Sequence, residues 1–221
     1  TLARLSSRRI PTQKVPVIFR KEAASSLFGH FCQAVSGGAL YRKSTFLLDT
    51  LGQQIFHPQI QIKEDPHRLQ GLGSAPFDGD GVETKEKDFV KEGILQSYIL
   101  SAYSARKLGL QNTGNAGGVR NLIVTPSEVS LESLIKSQTK AFLVTSLMGQ
   151  GVNGVTGNYS RGASGFWIEN GEIAYPVHEV TIASNLKDMF LNMSCVACDV
   201  DKRGNIQTGS LLINEMMIAG T

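Results

Sequence analysis

The chain has 221 residues, 41% of them hydrophobic and 19% charged, with a formal charge of +3, the balance of a globular protein with room for one large domain or two small ones. So small a positive excess, with no run of basic residues, argues against nucleic-acid binding, and no apolar stretch approaches the roughly 18 residues that span a bilayer. Three cysteines, Cys32, Cys195 and Cys198, argue against a disulfide framework and, with an N-terminus that lacks an apolar signal core, for the reducing cytoplasm.

Residues 1–14 read as a polar connecting segment, and residues 15–221 as one domain. Residues 15–19 (VPVIF) form a short strand-like run. Ala24, Leu27, Phe28, Phe31 and Val35 recur at spacings of three and four and predict one apolar helix face, which Gly37-Gly38 ends. Residues 45–65 predict strand, turn, strand, the first strand carried by Phe46-Leu47-Leu48 and the second by Ile60 and Ile62. Residues 66–81, rich in Gly and Pro, are a loop.

Two hairpins follow, turning at Glu92-Gly93 and at Asn170-Gly171; Asn-Gly between apolar runs is a strong hairpin signal because both turn residues take positive φ. Between them the pattern predicts a short helix over 101–108, a polar loop over 111–118, a strand over 121–124, a helix capped by Ser130 and a strand over 141–148. A strand over 180–183, a helix capped by Asn185 and a last strand over 210–218 complete the chain. Strands outnumber helices and join by hairpins, which predicts an α+β fold: a mostly antiparallel β-sheet, hairpin-rich and either barrel-like or sandwich-like, with a few short helices.

Most local motifs fail on context. Residues 149–154 (GQGVNG) match the dinucleotide fingerprint, yet turn residues and then a hairpin follow where a helix is required, so the glycines read as a loop allowing close backbone approach. Cys195-Val-Ala-Cys198 has no second cysteine pair and reads as two small half-buried residues. The four histidines are scattered, and H-E-x-x-H is absent.

Phe28-Gly29-His30, residues 41–49, 103–110 and 185–189, and above all residues 157–173 (GNYSRGASGFWIENGEI) resemble the PmbA-like, or TldE-like, branch of the TldD/PmbA metalloprotease family. The resemblance covers about residues 16–221 and identifies the domain as the family's C-terminal one, with an N-terminal α/β domain apparently absent from this chain. It implies a cytoplasmic heterodimer with a TldD-like subunit that processes unstructured peptides in a closed chamber, without direct nucleic-acid chemistry. In the TldD-like member an H-E-x-x-x-H helix and a later cysteine hold zinc, and the glutamate is the general base.

Carried onto this chain, the first histidine falls on Ser25, the glutamate on Ser26, the last histidine on His30 and the cysteine on Thr208. Hydroxyls are poor ligands for a borderline-soft divalent ion. The expectation is therefore no catalytic residue and no metal in this chain, and zinc in the partner. His30 is then a helix histidine hydrogen-bonded in the core or at the subunit interface. Arg161 and Trp167 are the candidates for peptide or partner contact, against a surface salt bridge and core packing respectively. A peptide would add as a strand to an exposed sheet edge. The alternatives to a non-catalytic partner subunit are an independent metallopeptidase and a peptide-binding regulatory module.

Overall fold

Along the chain the elements run β1 (Gln13–Phe19), α1 (Lys21–Ala34), α2 (Gly37–Tyr41), β2 (Ile62–Glu64), β3 (Lys87–Lys91), β4 (Ile94–Leu95) and α3 (Ala102–Leu108). There follow β5 (Leu122–Val124), α4 (Leu131–Lys136), β6 (Lys140–Met148), β7 (Asn158–Glu169), β8 (Glu172–Asn185), α5 (Leu186–Leu191), β9 (Met193–Val196), β10 (Ile206–Gln207) and β11 (Leu211–Ala219). This computed structural model describes residues 5–220; residues 1–4 of the connecting segment and residue 221 lie outside it.

The larger sheet has the order β1-β6-β7-β8-β11-β9, and β1 also pairs with β11. The pairings therefore close a ring, β1-β6-β7-β8-β11, with β9 on the outside of β11. Closure removes free strand edges, so the barrel-like form of the α+β expectation holds. Pairing is antiparallel except for β1 with β6 and β10 with β5. A parallel pair needs a crossover, and the stretch from β1 to β6 supplies one that contains most of a second, five-stranded sheet of order β10-β5-β2-β3-β4.

Period-two alternation divides the ring's side chains between two cores. Val17, Phe19, Phe142, Val144, Trp167, Leu211 and Ile213 join the main core with α1, α5 and the second sheet. Their neighbours Ile18, Ala141, Leu143, Ile168 and Leu212 form a smaller core, covered by Leu131, Leu134 and Ile135 of α4. Full burial of each such aliphatic contributes about 1.5–3 kcal/mol.

The two hairpin turns form as predicted, with φ of +51° and +77° at Glu92-Gly93 and +50° and +82° at Asn170-Gly171. Three expectations change. Phe46-Leu47-Leu48 is a turn, because Thr45 Oγ1 donates to the Ala34 carbonyl (2.7 Å) and accepts from Leu47 N–H (3.1 Å), a local bond that competes with a ladder. Gly37-Gly38 begins a second helix, with Ser36 Oγ accepting from Ala39 N–H. A Cβ on Gly37 would lie 2.2 Å from Ser104 Oγ, so that glycine serves the close approach of α3. The strand predicted over 180–183 is the far half of the 14-residue β8.

Where the second sheet meets the loop of residues 111–121, Glu64 is 1% exposed. Its carboxylate accepts from Lys87 Nζ (2.8 Å), Asn115 Nδ2 (2.9 and 3.0 Å) and Arg120 N–H (2.6 Å). Lys87 Nζ also donates to the Thr113 carbonyl and to Asn115 Oδ1 (3.1 Å). One buried negative charge is thus matched by one cation and by further donors.

Candidate functional site

Helix α1 follows Arg20, which serves as its extended N-cap, and Glu22 stands in its first turn, where the dipole favours a carboxylate. Its buried face is Ala23, Ala24, Leu27, Phe28, Phe31 and Ala34. Phe31 meets Phe56 edge-on at 5.4 Å, and Phe56 stacks on Phe190 of α5 at 4.4 Å. These aromatic contacts fix the helix's rotation. They leave the half-buried His30 and the neighbouring Gln33 facing a cavity of about 480 Å³.

The cavity lies between α1, α2, β7 and the loop after β6. Its walls include Arg42 at the C-cap of α2, Arg161 of β7 and the backbone of Gly149, Gln150 and Gly154. Residues 149–154 are therefore a cavity wall rather than a nucleotide loop. Gly151 shows why glycine is needed here: a Cβ would meet Ser160 O of β7 at 1.8 Å.

The lining holds His30, Arg42 and Arg161 and no carboxylate. His30 Nε2, Arg161 Nε and the hydroxyl of Tyr159, whose ring stands edge-on to His30 at 6.4 Å, are buried without a hydrogen-bond partner. Burial first, and then the Arg161 charge, lower the pKa of His30, so its imidazole is neutral at pH 7. Burial pushes the Tyr159 phenol up to about 12, although the neighbouring Arg161 pulls the other way.

The positions expected from the resemblance separate here. His30 and Arg161 line one cavity; Ser25, Ser26, Thr208 and Trp167 are not part of its lining. Ser25 Oγ donates to the Glu22 carbonyl (3.3 Å) and Ser26 Oγ to the Ala23 carbonyl (2.7 Å). Each hydroxyl is thus engaged by its own helix. Thr208 is fully buried, its Oγ1 donating to the Gly209 carbonyl (3.0 Å). Zinc does not fit this donor set: three engaged hydroxyls and a single imidazole supply neither the ligand number nor the ligand type. Among the described residues no three His, Cys, Asp or Glu side chains form a group that could hold a metal ion.

Within this chain His30 Nε2 has no partner, which leaves the interface alternative of the expectation rather than the hydrogen-bonded core one. The residues across the cavity present the Arg161 cation and no acceptor carboxylate. Trp167 is 3% exposed and packs in the main core, its Nε1–H donating to Glu169 Oε1 (3.0 Å).

Arg42 was not among the sequence candidates. Its signal was its place in the family-like block 41–49, but nothing local distinguished it from Lys43. The cysteines stand apart from the cavity. Cys195, half-buried, lies 3.3 Å from Ser127 Oγ, while Cys198 is exposed rather than half-buried. The Cys32 thiol is pushed up to about 12 by burial, with the Glu64 charge adding to it.

A closed strand ring with a second, smaller sheet and a helix packed between them defines an α+β, barrel-like domain. Residues 12–220 match the PmbA/TldA metallopeptidase C-terminal domain, and the chain belongs to that family. It is 55% identical to metalloprotease PmbA of Escherichia coli O157:H7 over all of this chain and 49% of the relative. It is 51% identical to a PmbA homologue of Haemophilus influenzae over 99% of this chain and 49% of the relative. Among solved structures, TldE from Thermococcus kodakarensis superposes with a TM-score of 0.88 at 26% identity, over 99% of this chain and 53% of that one. A Bacteroides thetaiotaomicron protein described as a candidate modulator of DNA gyrase gives 0.95 at 27% identity, over 100% of this chain and 50% of that one. The chain spans about half the length of the curated relatives it matches. No helix of the described residues is long and apolar enough to cross a membrane.

Proposed function

We propose that this chain is the C-terminal domain of a non-catalytic subunit in a cytoplasmic, heterodimeric metalloprotease acting on unstructured peptides, with zinc and the catalytic base in a TldD-like partner. One observation carries the reading: at the positions where the family's catalytic helix bears a histidine and a glutamate, Ser25 and Ser26 close their hydroxyls onto the preceding turn of α1. A metallopeptidase needs a metal-bound water and a base beside it. His30 supplies one imidazole, and no carboxylate lines its cavity. The chain's work is then to seal the chamber and to hold peptide. The outer edge of β4 is taken by residues 53–55, which leaves β9 in the larger sheet and β10 in the smaller one as outer strands for addition of a peptide.

The test is cleavage of an unstructured peptide in the presence of zinc. The purified protein alone gives none, and addition of the TldD-like subunit restores it. Cleavage by a preparation proven free of that subunit would overturn the reading and favour an independent metallopeptidase. Failure to form a complex on co-expression would favour a regulatory peptide-binding module.

A further inference from the structure

The cavity at His30 is unsuited to a cation. It places two guanidinium groups and an imidazole around about 480 Å³ and presents no acidic side chain to balance them. Arg161 Nε and His30 Nε2 are buried without partners, and neither Arg161 nor Arg42 forms a salt bridge with any described residue. An unsatisfied buried donor costs free energy, and a guanidinium recovers it best on an oxyanion. Arg42, exposed at the mouth, is steadied by Tyr41, its guanidinium 5.2 Å from the ring centre and its Nη1 3.1 Å from the hydroxyl.

The rest of the wall is mixed: Gln33, Ser36, Ser44 and Gln150 are polar, while Ala34, Phe46, Val152 and Leu186 supply an apolar patch for which a free inorganic anion would have no use. Cationic donors beside an apolar wall match a carboxylate attached to an aliphatic side chain. The volume lies within the range of small-ligand pockets and suits one or two residues rather than a long segment.

We propose that this cavity binds the C-terminal carboxylate of a peptide, with Arg161 and Arg42 facing the charge and the apolar wall receiving the last side chain. The choice of a peptide as ligand rests on the peptide-handling reading above; the charge and shape of the cavity do not. Bound in this way, a peptide is anchored by its end and its upstream residues run out of the mouth past Arg42. Length selection and product retention would follow from that anchor.

The test is calorimetric titration of the protein, without any partner subunit, using a hexapeptide of Ala, Gly and Leu as the free acid and as the C-terminal amide. Inorganic phosphate is titrated separately as the competing oxyanion source. The free acid binds at least about tenfold more tightly than the amide, a difference of about 1.4 kcal/mol. Arg161→Met abolishes the difference, Arg161→Lys restores part of it, and the surface variant Arg106→Met leaves it unchanged. Equal binding of acid and amide overturns the proposal, and so does saturation by phosphate that neither peptide can displace. The comparison of acid with amide needs no variant, so it stands even if a substituted protein misfolds. Because no cleavage is measured, failure here leaves the subunit reading intact, and peptide hydrolysis by the protein alone would fail that reading and not this one.

Discussion

Two regions of this molecule bury polar side chains and reach opposite ends. At Glu64 the carboxylate and its cation are both answered: the carboxylate takes Lys87, Asn115 and the Arg120 amide, and the ammonium takes a carbonyl and an amide oxygen as well. Around His30 the charges go unanswered: two arginines beside a neutral imidazole border open volume, and buried nitrogens lack partners. A buried polar group that is fully bonded organises the chain around it, whereas one left unbonded beside a cavity reserves its bonds for something that arrives. What separates the two regions is a carboxylate: Glu64 answers Lys87 in one, and none lines the cavity beside Arg42 and Arg161 in the other.

The largest effect that would test this comparison is at the satisfied site. Glu64→Ala leaves the partly buried Lys87 without its carboxylate and Asn115 Nδ2 and the Arg120 amide without their acceptor, and lowers the unfolding free energy by about 3–5 kcal/mol in urea titration. A loss under about 1 kcal/mol would mean that the network is dispensable and that the contrast is false.

Cys32 extends the same region. A thiol moved from 9.0 to about 12 holds about a thousandfold less thiolate at pH 8, since each unit is a factor of ten. Its alkylation by iodoacetamide in the folded protein should be slower by that order than in the urea-unfolded chain, followed by peptide mapping. Equal rates would show that the region opens readily.

At the unsatisfied site the next effect appears in alkali. A phenol raised from 10.0 to about 12 stabilises the fold fully below pH 10, and this contribution is lost as pH rises through about 12, because the unfolded chain ionises first. Tyr159→Phe removes that loss, about 2–3 kcal/mol between the two values. Parallel urea titrations of both proteins at pH 9 and pH 11 measure it; an identical alkaline slope would refute the assignment.

The smallest effect is the most telling. Arg161→Met changes stability by no more than about 0.5 kcal/mol, and any change should be a gain, because it removes an unpaired buried donor while keeping the apolar stem. A loss like that at Glu64 would make Arg161 a structural residue and dissolve the contrast.

Much of the fold was legible beforehand because it follows from local rules. The apolar spacing of α1, the Ser101, Ser130 and Asn185 caps and the positive-φ turns at Glu92-Gly93 and Asn170-Gly171 each depend on a few neighbouring residues. Phe46-Leu47-Leu48 was misread as strand because its competitor is a bond from Thr45 to Ala34, eleven residues away. Gly37-Gly38 was misread as a stop because the packing of Ser104 against Gly37 has no sequence signature.

The sequence by itself determined the family and the α+β class, since these are statements of residue identity and order. Only the tertiary structure decided that the strands close into a ring, that His30, Arg42 and Arg161 meet at one cavity, and that Trp167 belongs to the core. Those are facts of distance between segments remote along the chain, and whether a polar atom finds a partner depends on which segments packing brings together.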